Sequence, residues 1–345
     1  MDGAAWLSTP LDKAVEALGA SPQAIKKRFK ALAGAWHPDT CGDPQAGVVF
    51  AHIVALRDAA LDRVGGRPAR ASAAPQRALR TADGRVLGVR PTLERATDTC
   101  TVWVGRKTFA FLFPEGHEDL AVAARDTWSR ARYADARMEK AFRPLAPRPT
   151  RLDTALEGGG HLLAIARPEG MVWLRDLLVH QGGALHPHHV AWIGSGLWNT
   201  LAWFQWMGQV HGAIGLDTVA VDPGTHAVAV LGGWECMTPI GGRPKALPDA
   251  TLRAVPRLEA RGEGVAASTD ALLVRELLRA CLGTPAALRP KVDGLGDAAA
   301  SLIAGPPLTG AVAEYKAWIE ALEKDWGPRR FRTIDADARR IYGHP

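Results

Sequence analysis

From Val190 to Val210 the chain runs "VAWIGSGLWNTLAWFQWMGQV", 21 residues without a charge. Nothing else in the sequence restricts the fold as strongly, because so long an apolar stretch has to leave water. Its length is close to the roughly 20 residues that cross a bilayer as a helix. Yet it carries Ser195, Asn199, Thr200, Gln205 and Gln209, with Gly194, Gly196 and Gly208, and it lacks the basic flanks that orient a span. A helix apolar on every side can equally be the central helix of a large domain. The expectation is a buried core helix and no membrane partner. Its tryptophans, Trp192, Trp198, Trp203 and Trp206, read as core rather than as a base-stacking platform, since no interleaved cations accompany them.

A core of that size needs a large body around it. The 345 residues, 47% hydrophobic and 23% charged, leave room for roughly two or three domains and exclude the disordered class. The net charge of +6 permits contact with nucleic acid or acidic membranes. An Ala/Arg/Gly-rich composition of the kind a GC-rich genome produces has the same charge, so composition alone names no nucleic-acid partner. Cys41, Cys100, Cys236 and Cys281 lie far apart without CxxC spacing, which argues against zinc and fits free thiols in a reducing cytoplasm. The first residues, "MDGAAWLSTPLDKAVEALG", lack the basic and apolar regions of a signal peptide. In "LHPHHV" (185–190) Pro187 opens a helix and no carboxylate shares the face of the histidines, so no metal site is expected. "GGGH" (158–161) lacks the strand–glycine–helix context of a phosphate loop and reads as a turn.

Along the chain, residues 1–64 read as three helical stretches, and 65–84 as a flexible linker rich in Gly, Ala, Pro and Arg. "RVLGV", "CTVWVG" and "TFAFLF" then read as strands, followed by a helix over 118–142 and a Pro/Arg break at 143–152. "HLLAIA" reads as a further strand and "MVWLRDLLVH" as a short element. Helices dominate from His188 onward, except for a hairpin at 218–231, where "TVAV" and "HAVAVL" alternate about an Asp222-Pro223-Gly224 turn.

In the first region Ser21 precedes Pro22, an N-cap followed by proline at the first helical position. Ile25, Phe29, Leu32, Ala33 and Trp36 form one apolar stripe, and Lys26, Lys27 and Lys30 lie off it as a basic face. The helix stops at His37-Pro38-Asp39, because proline disfavours helix in the residue before it. Val49, Phe50, Ile53, Leu56, Ala60 and Val64 give a second amphipathic helix, and the two should pair antiparallel. With Leu18-Gly19 ending a preceding helix, this arrangement resembles the J-domain of DnaJ-type co-chaperones. The resemblance implies that His37, Pro38 and Asp39, with Lys26, Lys27 and Lys30, dock on a DnaK-type chaperone and stimulate its ATP hydrolysis. Val15 and Arg57 depart from it, standing where aromatic residues are usual. No Gly/Phe-rich segment or cysteine-rich repeat follows, unlike a general client-binding DnaJ.

In the remainder, several strands with one helix, a connector, a buried helix, a hairpin and more helices follow in an order that resembles the two-lobed protein kinase fold. "ASTDALLVRELLRACLG" (267–283) resembles the helix after the activation segment, with Asp270 at the acid that braces the catalytic loop; "LRP" (288–290) resembles a late arginine motif. "DWGPRRFRTI" resembles the end of bacterial and phage proteins that join a J-domain to a degraded kinase-like domain. The expected fold is thus multidomain: an all-α J-domain hairpin (1–64), the linker, then an α+β kinase-like small lobe (85–143), large lobe (144–335) and tail (336–345).

Phosphoryl transfer needs a lysine on the third strand, a catalytic-loop aspartate, an asparagine five residues on, and a metal-binding aspartate. By the resemblance Leu112, Ala213, Thr218 and Gly233 stand at those four places. No GxGxxG loop appears in "GVRPTLERATDTCTVWVG". The expectation is a pseudokinase without enzymatic activity, cofactor or metal, serving a cytoplasmic co-chaperone that recruits a DnaK-type chaperone and targets it to an unknown client protein. Two alternatives stand beside it. One is an atypical kinase or nucleotide-binding switch using Asp217, Glu235 and Lys107. The other is a nucleic-acid-associated adaptor using Arg67, Arg70, Arg77, Arg80 and Arg85.

Overall fold

A computed structural model describes residues 3–10, 13–36, 41–64, 77–147, 149–255, 264–283, 295–328 and 330–343. Contacts divide the chain into one compact body within 1–72 and a second built from 73–284 and 289–345. The coarse architecture is a helical N-terminal region followed by a mixed region of helices and sheets.

The first body holds α1 (Gly3–Leu7), α2 (Ala14–Leu18), α3 (Pro22–Ala35) and α4 (Ala46–Val64). Ser21 caps α3, its hydroxyl accepting the Ala24 N–H at 3.2 Å. The stripes meet as their periodicity dictates: Ile25 of α3 packs with Val49, Ile53, Leu56 and Ala60 of α4 and with Leu18. Helix α1 was not anticipated; it is anchored by Trp6, which is 2% exposed in the same cluster. Arg57, the departure noted above, covers the Phe29 ring at 4.4 Å and so packs as a flat cation over an aromatic face.

The second body opens with a two-stranded antiparallel hairpin, β1 (Arg77–Arg80) and β2 (Val86–Val89). Part of the expected linker is therefore strand and turn: Leu79 packs with Leu87 and Val89, one apolar contact hidden in an arginine-rich stretch. Strands β3 (Pro91–Ala96), β4 (Thr101–Gly105), β5 (Thr108–Phe113), β6 (Pro149–Ala155) and β7 (His161–Ala166) form a five-stranded sheet of order β3-β4-β5-β7-β6. The sheet is completed only by residues 149–166, so it runs to Ala166 rather than ending at 143. Helices α5 (Glu118–Arg130) and α6 (Ala136–Phe142) replace the single helix expected there, with Asp135 capping α6 by accepting the Met138 N–H at 2.7 Å.

The remaining elements are β8 (Val172–Trp173), α7 (Leu174–His180), α8 (Pro187–Trp206), β9 (Gln209–Val210), β10 (Val219–Asp222), β11 (Ala227–Val230), β12 (Thr238–Pro239), α9 (Asp249–Ala254), α10 (Ala267–Cys281), α11 (Asp297–Ala304), α12 (Ala311–Trp326) and α13 (Ala338–Tyr342). Helix α8 takes in residues 190–206 of the uncharged stretch, whose end forms β9; Leu197, Trp198, Leu201, Trp203 and Phe204 on it are buried, whereas Trp206, expected in the core, is 48% exposed. Its glycines are required by close packing. A Cβ on Gly194 would sit 2.9 Å from the Trp318 ring, and one on Gly196 would sit 2.7 Å from Val228. The Trp318 indole N–H in turn reaches Ser195 Oγ at 3.2 Å, which accounts for one of the polar groups in the stretch. Among the described residues no helix is long and apolar enough to cross a membrane.

Candidate functional site

The loop from His211 to Thr218, between β9 and β10, is held from below. The Asp270 carboxylate accepts the His211 and Gly212 N–H groups at 2.7 and 2.8 Å, and the Thr251 hydroxyl donates to the Gly212 carbonyl at 2.6 Å. Burial pushes the Asp270 pKa up to about 6, although both amides pull it down. Above the loop Thr218 donates to the Ala213 carbonyl at 2.6 Å and accepts the Gly215 N–H at 2.9 Å. The Thr218 hydroxyl thus binds its own loop.

Ala213, Thr218 and Gly233 do come together. Gly233 has φ of 79°, and a Cβ on it would lie 2.8 Å from both Ala213 Cβ and His211 Cε1 and 3.1 Å from Thr218 Cγ2. That space is already full. Leu112 is not part of the group. Strand side chains alternate between faces, so a one-residue shift moves a residue to the opposite side. Leu112 packs with Trp103, Ala110 and Leu162 toward the β1–β2 hairpin, whereas Phe109, Phe111 and Phe113 face the large core. Phe111 is therefore the β5 residue that meets this site, its ring 3.2 Å from where a Cβ on Gly232 would stand. The cavity between Phe111, Gly232, Gly233 and Glu235 has room for no more than about one water.

Beside this point the cleft is packed with aromatic rings. Trp173 is fully buried, with its ring 5.0 Å from Phe109 and 6.2 Å from Phe111. Trp234 lies 4.2 Å from Trp128 of α5, and His211 stacks on Phe204 at 5.6 Å. The His211 ring is fully buried, and burial drives its pKa down to about 3 against the smaller opposing pull of the Gly232 backbone.

Charged groups bolt the sheet to the loop. Arg95 of β3 pairs with Asp176 of α7 and, at 3.3 Å, with Asp217; Arg175 grips Asp217 through Nε at 2.5 Å and Nη2 at 2.6 Å. Burial would raise the Asp217 carboxyl, but Arg175 and then Arg95 overcome it and hold it below its usual value. The turn between β3 and β4 is tied down too. Thr99 donates to Glu235 Oε1 at 2.5 Å, and Asp98 accepts the Asp249 N–H at 3.0 Å. Burial raises the Glu235 carboxyl and, with Glu235 beside it, lifts Cys100 to about 12.

Several of the groups proposed for other chemistries are also engaged. Asp217 and Glu235 are occupied as described, and Lys107 lies exposed in the β4–β5 turn. Arg77 pairs with Glu94 at 2.6 Å, Arg80 with Glu157 at 3.8 Å and Arg85 with Asp83 at 3.2 Å; Arg67 and Arg70 lie outside the described residues. His186 faces Arg332 at 2.8 Å, and burial followed by neighbouring positive charge pulls His189 down to about 4. Among the described residues no group of three or more His, Cys, Asp or Glu side chains could hold a metal ion. In the first body Lys26, Lys27 and Lys30 are exposed on α3. His37, Pro38 and Asp39 lie outside the described residues, as does 288–290.

Sequence reasoning missed Arg95, Asp176 and Trp173, which close the cleft. "WLRDLL" has the look of an ordinary amphipathic turn, and only the return of β3 across the cleft gives its charges a partner. No protein-family model matches this chain, and no curated protein matches it.

Proposed function

We propose that the chain is a J-domain co-chaperone, recruiting a DnaK-type chaperone through its first body and carrying a catalytically inactive kinase-like second body that selects the client. The observation that carries the first half is the α3–α4 pair. A Ser21-capped helix buries Ile25 against α4, presents Lys26, Lys27 and Lys30 to solvent and leads directly into His37-Pro38-Asp39. Such a surface suits an acidic partner met transiently, since exposed charge chiefly speeds encounter and sets register.

For the second half, support comes from the element order and from Asp270, which braces the His211–Gly212 backbone as the kinase resemblance implies. The same resemblance gives this body no catalytic role. Transfer of a phosphoryl group needs carboxylates for the metal and space for the nucleotide. Here alanine and glycine stand at two acid positions, and aromatic rings fill the cleft.

The decisive experiment is single-turnover ATP hydrolysis by a DnaK-type chaperone, with the full chain and with His37→Gln. The wild type should accelerate hydrolysis and the variant should not. Stimulation that survives His37→Gln would refute the proposal.

A further inference from the structure

Residues 331–342 run past the β10–β11 turn and the connector between α7 and α8 and end in α13. Only one side chain of α13 is deeply buried, Tyr342, at 6% exposure. Its hydroxyl accepts the Trp173 N–H at 2.9 Å and donates to Asp176 Oδ2 at 2.7 Å. The Arg167 guanidinium lies 4.6 Å from the ring centroid. Arg167 is itself fixed, donating through Nε to the Met171 carbonyl at 2.9 Å and through Nη1 to the Gly105 carbonyl at 3.2 Å. A backbone donor, a carboxylate acceptor and a cation over the ring thus converge on one phenol. Burial, then Asp176, raise the Tyr342 pKa well above its ordinary value, so the phenol keeps the proton that it donates.

The rest of the segment is half-buried or exposed, with Ile334, Ala336, Ala338 and Ile341 half-buried against the large core. Phe331 stacks on His226 at 4.8 Å yet remains 56% exposed. Arg332 meets His186, Gln181 reaches the Asp335 carbonyl at 3.4 Å, and Arg340 pairs with Asp335, all at exposed positions. Helix α13 has five residues, well short of the roughly 12–15 that an isolated helix needs. One deeply buried anchor among half-buried and exposed flanks is how a docked peptide is held, with much of its energy gathered at a single hot spot. Such a segment belongs to the low-stability end of a fold.

We propose that the niche formed by the Trp173 N–H, Asp176 and Arg167 is a docking site for tyrosine-bearing peptide segments, filled here in cis by the chain's own Tyr342. A partner peptide enters by displacing residues 331–342. The chemistry selects the phenol. Phenylalanine would leave the Trp173 backbone N–H and Asp176 Oδ2 without the partner that the phenol supplies, and a phosphorylated tyrosine would set its charge against the Asp176 carboxylate. That such a peptide belongs to a chaperone client rests on the co-chaperone proposal, whereas the niche itself does not.

The test is fluorescence anisotropy with a labelled peptide of sequence FRTIDADARRIYGHP, titrated into the full-length wild type and into Tyr342→Ala. The peptide should bind Tyr342→Ala at least about tenfold more tightly than wild type, where the tethered copy competes at high effective concentration. The same peptide with phenylalanine for tyrosine should bind about tenfold more weakly. A full-length Tyr342→Phe protein, which keeps the ring, should exchange the Trp173 amide hydrogen faster. Absence of binding to Tyr342→Ala, equal affinity of the tyrosine and phenylalanine peptides, or unchanged Trp173 exchange would each overturn the proposal. The assay contains no chaperone, and His37→Gln should leave peptide binding unchanged, so its failure is separate from failure of the co-chaperone reading.

Discussion

His211 and Asp270 titrate over the same pH range with opposite consequences, although one donates its backbone N–H to the other. Burial holds the His211 ring down at about 3, against an ordinary 6.5. The unfolded chain therefore takes up that proton first, and the stability tied to neutral His211 is complete above 6.5 and lost as pH falls toward 3. Asp270, raised from 3.8 to about 6, works the other way; its contribution is complete below 3.8 and lost as pH rises through 6. The two offset each other in the wild type. His211→Phe should remove the first and leave the second, since a phenyl ring suits the Phe204–Trp234 surroundings. Its stability relative to wild type should improve by about 3 kcal/mol between pH 6.5 and 4, following the free energy per pKa unit. Urea unfolding of both proteins at four pH values across that range measures this, and a difference that stays flat with pH would refute it. Little of this balance was legible in the sequence. Ala213 and Gly233 could be read as missing acids, but whether their space was vacant or filled depends on His211 and Thr218 folding onto them.

At the scale of elements, helices and hairpins were legible where one period dominates. The stripes of α3 and α4, the uncharged α8 and the 218–231 hairpin each follow from local spacing that tertiary contacts reinforce. Elements held mainly by distant partners were not. In β1 a single Leu79 carries the apolar signal. In β6 Pro149 and register irregularities at Arg151 and Thr154 break the alternation, so pairing with β7 makes the strand. The same holds for the tie between α10 and α12, where buried Arg275 and Glu314 meet through two hydrogen bonds of 2.9 and 2.7 Å. Glu314 also accepts the Leu308 N–H at 2.8 Å, and Arg275 also donates to the Leu302 and Gly305 carbonyls. Removing one partner of a buried pair strands the other in a medium that cannot solvate it. Glu314→Ala should therefore cost about 3–5 kcal/mol, read as a lower denaturation midpoint at unchanged slope. A loss below about 1 kcal/mol would mean that water reaches Arg275 in solution.

On the kinase-like reading proposed for the second body, losing catalytic acids and filling the cleft would be separate changes, and they predict different outcomes when acids are placed at those positions. Had only the acids been lost, Ala213→Asp with Gly233→Asp would restore a metal site over a vacant cleft. Instead a side chain at 233 must displace Ala213 and His211, at a backbone conformation that favours glycine. Trp173, Phe109 and Phe111 occupy the adjoining space, and Arg95 holds β3 to α7 and to the loop. Nucleotide would have to break those ion pairs and expel buried indole before making any contact of its own. ATP with Mg²⁺ at millimolar concentration should therefore leave the melting temperature of the wild type within about 0.5 °C of its value without nucleotide, where a ligand at ten times its Kd would add about 1.4 kcal/mol and several times that shift. The double variant should melt lower and remain unresponsive. A nucleotide-dependent rise of about 2 °C or more in the wild type would show that the cleft opens in solution and return the nucleotide-binding switch as the better account of this body.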